Sequence, residues 1–315
     1  MKYEKYEIFL NFECNARCIF CSIGHMFNKE RKIKSYEEVM REIEWANKNG
    51  IKVLSFSGGE PTIRKDLVDF VRYANKLEFD TIEIQSNGMM YYYDDYVQRL
   101  VDAGVNRFLI SIHGSNPKTH DFLTRVNGSF KRTMTGIENL FKRDVELRFS
   151  IVINKYNYKE LEDWAKMLLK YEGFSYHLNY ITPVGFAKNT YKKLAPKISE
   201  VVPEVKKAVE VLLNTGLGPW IHNIYPCNMP GYERMMSELM EKKTIISGAD
   251  FKADIDETKM DGRMKPKSCE KCKFNHMCVG PYRKYIEVFG SEEFAPLEGE
   301  KVRNIVFQRY GKLSK

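Results

Sequence analysis

Between residue 6 and about residue 215 the chain alternates short β-rich runs with longer amphipathic stretches, and few folds accept that alternation. Six runs read as strands: YEIFLNF, KVLSFS, TIEIQS, NRFLISIH, ELRFSIVIN and FSYHLNYIT. Helical patterns lie near 35–49, 65–78, 94–103, 130–142, 158–171 and 199–214. Ser35 and Glu38 form a capping box before the first helix, and Gly50 and Gly104 stand where the first and third should stop. The pattern predicts an α/β fold, a parallel sheet with helices outside it. Six units are too few for a closed eight-stranded barrel, which leaves a partial (βα)6 barrel of the TIM type or a doubly wound sheet. In either, functional groups belong at the C-terminal ends of the strands. There the sequence places CNARCIFC after the first run, SGGEPT after the second, QSNG after the third and SIHG at the end of the fourth.

After residue 215 the pattern breaks. GLGPWIHNIYPCNMPG reads as a loop rich in Gly and Pro, a helix is expected over 230–243, and the stretch from YRKYIEVFGSEEF onward has no strong period. The expected organisation is a partial barrel over 1–215 and a smaller C-terminal extension over 216–315 without an independent hydrophobic core.

Seven cysteines fall into two groups, Cys14, Cys18 and Cys21 near one end and Cys227, Cys269, Cys272 and Cys278 near the other. No run approaches the roughly 18 apolar residues of a membrane helix, and MKYEKYEIFL lacks the pattern of a secretory signal. The expectation is a cytoplasmic protein with reduced thiols, where clustered cysteines bind metal or catalyse. A four-iron cluster has four corners, so three cysteines in one tight loop leave one iron open. Zinc with a distant fourth ligand, His25 being nearest in sequence, is the alternative.

CNARCIFC matches the C-x3-C-x-aromatic-C motif, and SGGEPT the GGEP motif, of the radical S-adenosylmethionine superfamily, which residues 6 to about 215 resemble. The resemblance implies that Cys14, Cys18 and Cys21 hold a 4Fe-4S cluster whose free iron takes the amino and carboxylate groups of S-adenosylmethionine. Phe20 would lie by the adenine. Gly58, Gly59 and Glu60 would accept hydrogen bonds from the methionine ammonium, with Pro61 shaping the turn. Ser111 and Asn154 would contact the ribose or carboxylate, and Arg125 would pair with the methionine carboxylate. The ordinary reading of these last three is capping and strand-end hydrogen bonding. No catalytic side chain is singled out. The implied reaction is reductive cleavage of S-adenosylmethionine to a 5′-deoxyadenosyl radical, which takes a hydrogen atom from the substrate, with electrons from a donor such as ferredoxin or flavodoxin.

Cys269, Cys272 and Cys278, spaced C-x2-C-x5-C, with Cys227 upstream, resemble part of the auxiliary-cluster extensions called SPASM and twitch domains. Full SPASM domains continue with C-x3-C, but this chain has Tyr282 there, so its four cysteines suffice for one further iron-sulfur cluster. Four-cysteine structural zinc is the alternative. His276 reads as a solvated loop residue. Molybdenum-cofactor synthases of similar size carry a wider cysteine spacing.

An auxiliary cluster tilts the expectation toward oxidation or bond formation on a peptide or protein side chain, with a small metabolite or a tRNA as the alternative substrate. A rival from another class is a zinc-binding nucleic-acid module, suggested by C-x2-C and a net charge of +8. Basic and acidic residues are interleaved, however, so the charge also fits a solvated surface. The aromatic stretches MMYYYDDY and YITPVGFAKNTY, and His113 in LISIHG, either line a pocket or serve packing.

Overall fold

The computed structural model describes residues 2–24, 33–213 and 219–305. All six expected strands form: β1 (Lys5–Asn11), β2 (Val53–Gly58), β3 (Thr81–Ser86), β4 (Arg107–Ser111), β5 (Glu146–Ile153) and β6 (Ser175–Tyr180). They are joined by α1 (Tyr36–Lys48), α2 (Leu67–Lys76), α3 (Asp94–Ala103), α4 (Pro117–Thr124), α5 (Ser129–Phe141) and α6 (Leu161–Leu169), and followed by α7 (Ala187–Leu194) and α8 (Ile198–Leu213). The capping box of Ser35 and Glu38 opens α1, and Gly104 closes α3 in a left-handed conformation. The sequence pattern missed α4 and α7. Each has only eight residues, too few for a clear period, although Asn116 and Pro117 are a regular helix start.

The second half of the chain does not stand apart. It supplies β7 (Pro219–His222), β8 (Thr244–Ser247) and β9 (Lys252–Asp254), which join the same sheet in the order β7-β6-β5-β4-β3-β2-β1-β8-β9. Every neighbouring pair is parallel except β8 and β9. Short α9 (Ile255–Thr258) and α10 (Arg283–Phe289) complete the described elements, α10 falling where no period was expected. The helix expected over 230–243 is absent. Two single 3-10 turns, Glu233–Met235 and Ser237–Leu239, stand there instead, because Met236 is drawn into an extended conformation and bridges Ile221 of β7. Tertiary pairing overrides helix propensity at that point. The boundary expected at residue 215 lies outside the described residues.

The two faces of the sheet differ in chemistry. Tyr6, Ile8, Phe56, Ile84, Phe108 and Ile151 point outward and are fully buried beneath the helices. There they meet Ile43, Phe70, Leu100, Ile137, Trp164 and Val205 in one core. The indole of Trp164 donates to the Ile112 carbonyl at 2.9 Å and fixes α6 on the strand ends. The inner face mixes charged and amide side chains with apolar ones such as Phe9, Val53, Leu109 and Ile246, and residues from β1 through β8 line a single cavity of about 1010 Å³. A sheet whose alternate residues converge on one lumen is curved as a barrel is. No helix among the described residues is long and apolar enough to cross a membrane.

Candidate functional site

The cysteine loop leaves β1 and is tied down on both sides. Arg17 and Ile19 donate backbone bonds to Thr124 and Leu123 at the end of α4, and the Cys21 carbonyl accepts from Gly24 and Phe186. Its three thiols line the upper lumen with Phe20, Gly58, Gly59, Glu60, Ser111 and His113. Burial pushes the Cys14 thiol up to about 11 and Cys18 higher still, and each is opposed further by its neighbouring thiols. The Arg17 guanidinium, which donates to the carbonyls of Cys14 and Ala16, acts the other way on Cys14 and Cys21. Three buried thiolates sharing one cavity repel one another unless positive charge sits among them, so this donor set fits a metal cluster. His25 lies outside the described residues.

The glycines of SGGEPT serve the chain itself. A Cβ on Gly58 would lie 2.4 Å from the Asn11 carbonyl oxygen and one on Gly59 2.0 Å from that of Glu13, and Gly58 has φ +123°. Gly59 and Glu60 then donate to Asn11 and Glu13, which locks this turn to the start of the cysteine loop. Pro61 opens the 3-10 turn that follows, with Glu60 as its cap. The Glu60 carboxylate is buried and already accepts four bonds, from the Thr62 amide and hydroxyl, the Ser86 hydroxyl and the Asn87 amide, at 2.5–3.0 Å. Burial pushes its pKa up, and these donors act against that. Glu60 is thus a clamp between the ends of β2 and β3.

Two expected ligand contacts are not assembled. Asn154 is fully buried outside the cavity lining, its side chain donating to the Val152 carbonyl and accepting from the Tyr156 amide. It holds the turn after β5. Arg125 is the exposed C-cap of α4, at φ 59°, also outside the lining. A left-handed cap redirects the chain at this point. Of the aromatic stretches, Tyr180 and Thr182 reach the lumen, while Tyr91 is buried in the core and Tyr92 and Tyr93 are exposed. His113 does face the cavity, edge-on to Phe20 with ring centroids 4.6 Å apart. Burial, with His120 beside it, drives its pKa down to about 3, and its Nδ1 accepts from the Val152 amide. It is a neutral imidazole.

Below the thiols runs a polar network with little sequence signature. Lys5 bonds Glu83 at 2.5 Å, Arg148 stands 3.4 Å from the same carboxylate, and Gln85 joins Glu7 at 2.8 Å. Burial would raise the Glu83 pKa, but Lys5 and Arg148 outweigh it and bring it to about 2.

The other four cysteines converge as well. Cys227, Cys269, Cys272 and Cys278 line one small cavity with Lys265, Phe274 and Phe294. Burial raises Cys227 to about 12 and Cys278 to about 11, the thiols again opposing one another, while Lys265 acts to lower Cys278. His276 is exposed and outside this lining. Tyr282 stacks on Arg263, 4.2 Å from ring centroid to guanidinium. Arg263 also bonds Glu238, Asn223, Tyr225 and the Gly280 carbonyl, joining this site to the barrel. Among the described residues, no three or more His, Cys, Asp or Glu side chains are gathered tightly enough to hold a single metal ion.

Residues 9–168 match the family model described as the Radical SAM superfamily. The AdoMet-dependent heme synthase of Methanosarcina barkeri is 28% identical over 172 residues, covering 55% of this chain and 49% of that protein. A probable GTP 3′,8-cyclase of Saccharolobus solfataricus is 30% identical over 193 residues, 60% of this chain and 61% of that one. The matches thus span about half to three-fifths of these curated relatives. Among solved structures, Streptococcus suis SuiB bound to S-adenosylmethionine superposes with TM-score 0.69 at 15% identity, over 93% of this chain and 76% of that one. SuiB has also been solved with the precursor peptide SuiA; that structure gives TM-score 0.68 at 14% identity, over 96% and 75% of the two chains.

Proposed function

Because the chain belongs to the radical SAM superfamily, whose enzymes use a 4Fe-4S cluster and S-adenosylmethionine, we propose that Cys14, Cys18 and Cys21 hold that cluster and that the substrate reacts in the lumen below it. When bound, this pair of cofactors supplies a carbon radical able to take a hydrogen atom from an unactivated position. The chain's own residues orient and enclose. Phe20 and His113 wall the upper lumen, Ser111 offers a hydroxyl, and Gly58 and Gly59 edge the cavity. The clamp of Glu60 keeps that edge in register with the thiols.

Residues 1–215 then supply six strands of the catalytic barrel, and 216–315 add β7, β8 and β9 to its sheet and carry a second iron-sulfur cluster on Cys227, Cys269, Cys272 and Cys278. Thiols disposed around a cavity suit a multi-atom cluster. Structural zinc on the same four cysteines is the alternative, and metal analysis separates the two. We read the reaction as oxidation or bond formation on a polar group, a peptide side chain above all. One observation carries this reading: charged and amide side chains from β1, β3, β4, β5 and β6, with His177 and His222, line the same lumen as the three thiols. A small polar metabolite is the second reading, favoured by a lumen of about 1010 Å³, the size of a small-molecule site. Anaerobic, reduced protein given S-adenosylmethionine should release 5′-deoxyadenosine. S-adenosylhomocysteine as sole product would point to methyl transfer instead. Product analysis with candidate peptides and metabolites then separates the two substrate readings.

A further inference from the structure

Ser175 and His177 of β6, His222 of β7, Ser237 of the second 3-10 turn and Lys242 before β8 are joined head to tail. The Ser175 hydroxyl lies 3.1 Å from His177 Nε2, and His177 Nδ1 lies 3.2 Å from His222 Nε2. His222 Nδ1 lies 2.7 Å from the Ser237 hydroxyl, which also meets the Lys242 ammonium. The two rings are stacked, with centroids 5.4 Å apart. Four ring nitrogens are thus committed to one line of bonds. His177, His222 and Lys242 all line the lumen, and Lys242 lies just before β8, at the end of the barrel opposite the cysteine loop. The line bridges the seam between β7 and β8, where Met236 pairs with β7 in place of a helix.

We propose that His177, His222, Ser237 and Lys242 form a proton-conducting chain that carries a proton sideways from the base of β6, across the seam between β7 and β8, to Lys242. Its use by a reacting substrate rests on the radical SAM reading; the chain of bonds does not. Each member can hold the line in either of two directions. With Lys242 a neutral amine, Ser237 donates to it, both rings carry their proton on Nδ1, and Ser175 donates to His177 Nε2. The Ser175 hydroxyl, buried at the start of β6, gives its proton to His177 Nε2 and takes in its place one from an O–H or N–H donor in the barrel. His177 passes its Nδ1 proton to His222, His222 passes its own to Ser237, and Ser237 passes its own to Lys242. Both rings finish with the proton on Nε2 and Lys242 as ammonium, which then gives a proton to water. No electron moves along the line.

The electrostatics suit this. Burial, with the cations Arg148, Lys5 and Lys242, holds His177 well below 6.5, and burial with Lys242 and His177 does the same to His222. Both rings therefore relay as neutral groups. Burial lowers Lys242 to about 8, opposed by Glu238 and Asp256 and assisted by Lys259 and Arg263, so it exchanges its proton near neutrality. The physical benefit is separation: a proton can leave at the far end of the barrel without water entering beside a radical.

The test needs neither substrate nor S-adenosylmethionine, so its failure leaves the family chemistry untouched. Full-length protein with ¹⁵N-labelled histidine is titrated from about pH 6 to pH 10 by nuclear magnetic resonance. The result expected is that His177 and His222 move together from Nε2–H to Nδ1–H with one shared midpoint near that of Lys242, neither ring becoming a cation. Lys242→Met should abolish the change, and Lys242→Arg should hold both rings as Nε2–H at every pH. Independent midpoints, a cationic ring, or a shared change that persists in Lys242→Met would overturn the proposal. Should Lys242→Met not fold, the wild-type titration and Lys242→Arg decide it.

Discussion

Gly59 lies so close to Glu13 that a single methyl group on its Cα would stand 2.0 Å from the Glu13 carbonyl oxygen. Glu13 immediately precedes Cys14, so the glycine sets how near the second strand end comes to the first. Gly59→Ala should cost about 1–3 kcal/mol as an overpacking change, and the strain falls on the cysteine loop. The expected outcome is loss of the N-terminal cluster with the rest of the fold retained, seen as a drop in iron content. Full iron in a folded Gly59→Ala protein would show that the contact relaxes elsewhere.

Anaerobically prepared wild type should bind about eight irons, four per cluster. Replacing Cys14, Cys18 and Cys21 together by Ala should leave about four, and replacing Cys269 and Cys272 should leave the other four. An iron assay with absorbance of each variant separates the two sites. Zinc in the second variant's parent would reassign the C-terminal cysteines.

Glu83 should dominate the acid limb of stability. Its folded pKa of about 2 lies below its ordinary 4.5, so its ionised form is favoured in the folded state. The stabilisation, about 3 kcal/mol, is fully present above pH 4.5 and is lost as pH falls toward 2. Glu83→Gln should remove that slope and also destabilise at neutral pH by about 3–5 kcal/mol, because the buried carboxylate that Lys5 and Arg148 share is lost. Urea unfolding at a series of pH values measures both effects.

Arg263→Met should loosen the joint between barrel and extension. It leaves the half-buried Glu238 carboxylate without its ion-pair partner, accepting from the Asn223 amide, and frees the Gly280 carbonyl two residues after Cys278. Metal retention at the C-terminal site under a mild chelator should fall several-fold, while the N-terminal cluster stays. Equal retention at both sites would make Arg263 a local packing residue.

The strand-helix cycle and both cysteine groups were legible because they rest on local signals: period, caps and spacing. The lumen was also written in the strands, though less plainly. Glu7, Glu83, Arg148, His177 and Asn179 interrupt runs that a parallel sheet buried on both faces would fill with aliphatic residues. Charged and amide residues recurring on one face of parallel strands mark an interior that holds polar groups, with apolar residues such as Phe9 and Leu109 blurring the period. The roles of Asn154 and Arg125 could not be had from position alone, since a strand-end amide turns on one dihedral toward a cavity or into a turn. Likewise, the pairing of Met236 with Ile221 depends on an element 15 residues away.

The place of β8 has a consequence for biosynthesis. Lys5–Ile8 pair on one side with residues of β2 and on the other with Thr244–Ser247. While the chain emerges from the ribosome, the outer edge of β1 waits, unpaired, for a strand made far later. Such an edge is open to pairing with other chains, and contacts of long sequence separation form slowly. The cysteine loop hangs from that strand, so stable cluster insertion should follow release of the C-terminal residues. Nascent chains stalled before residue 244 should therefore lean on chaperones and take up no iron.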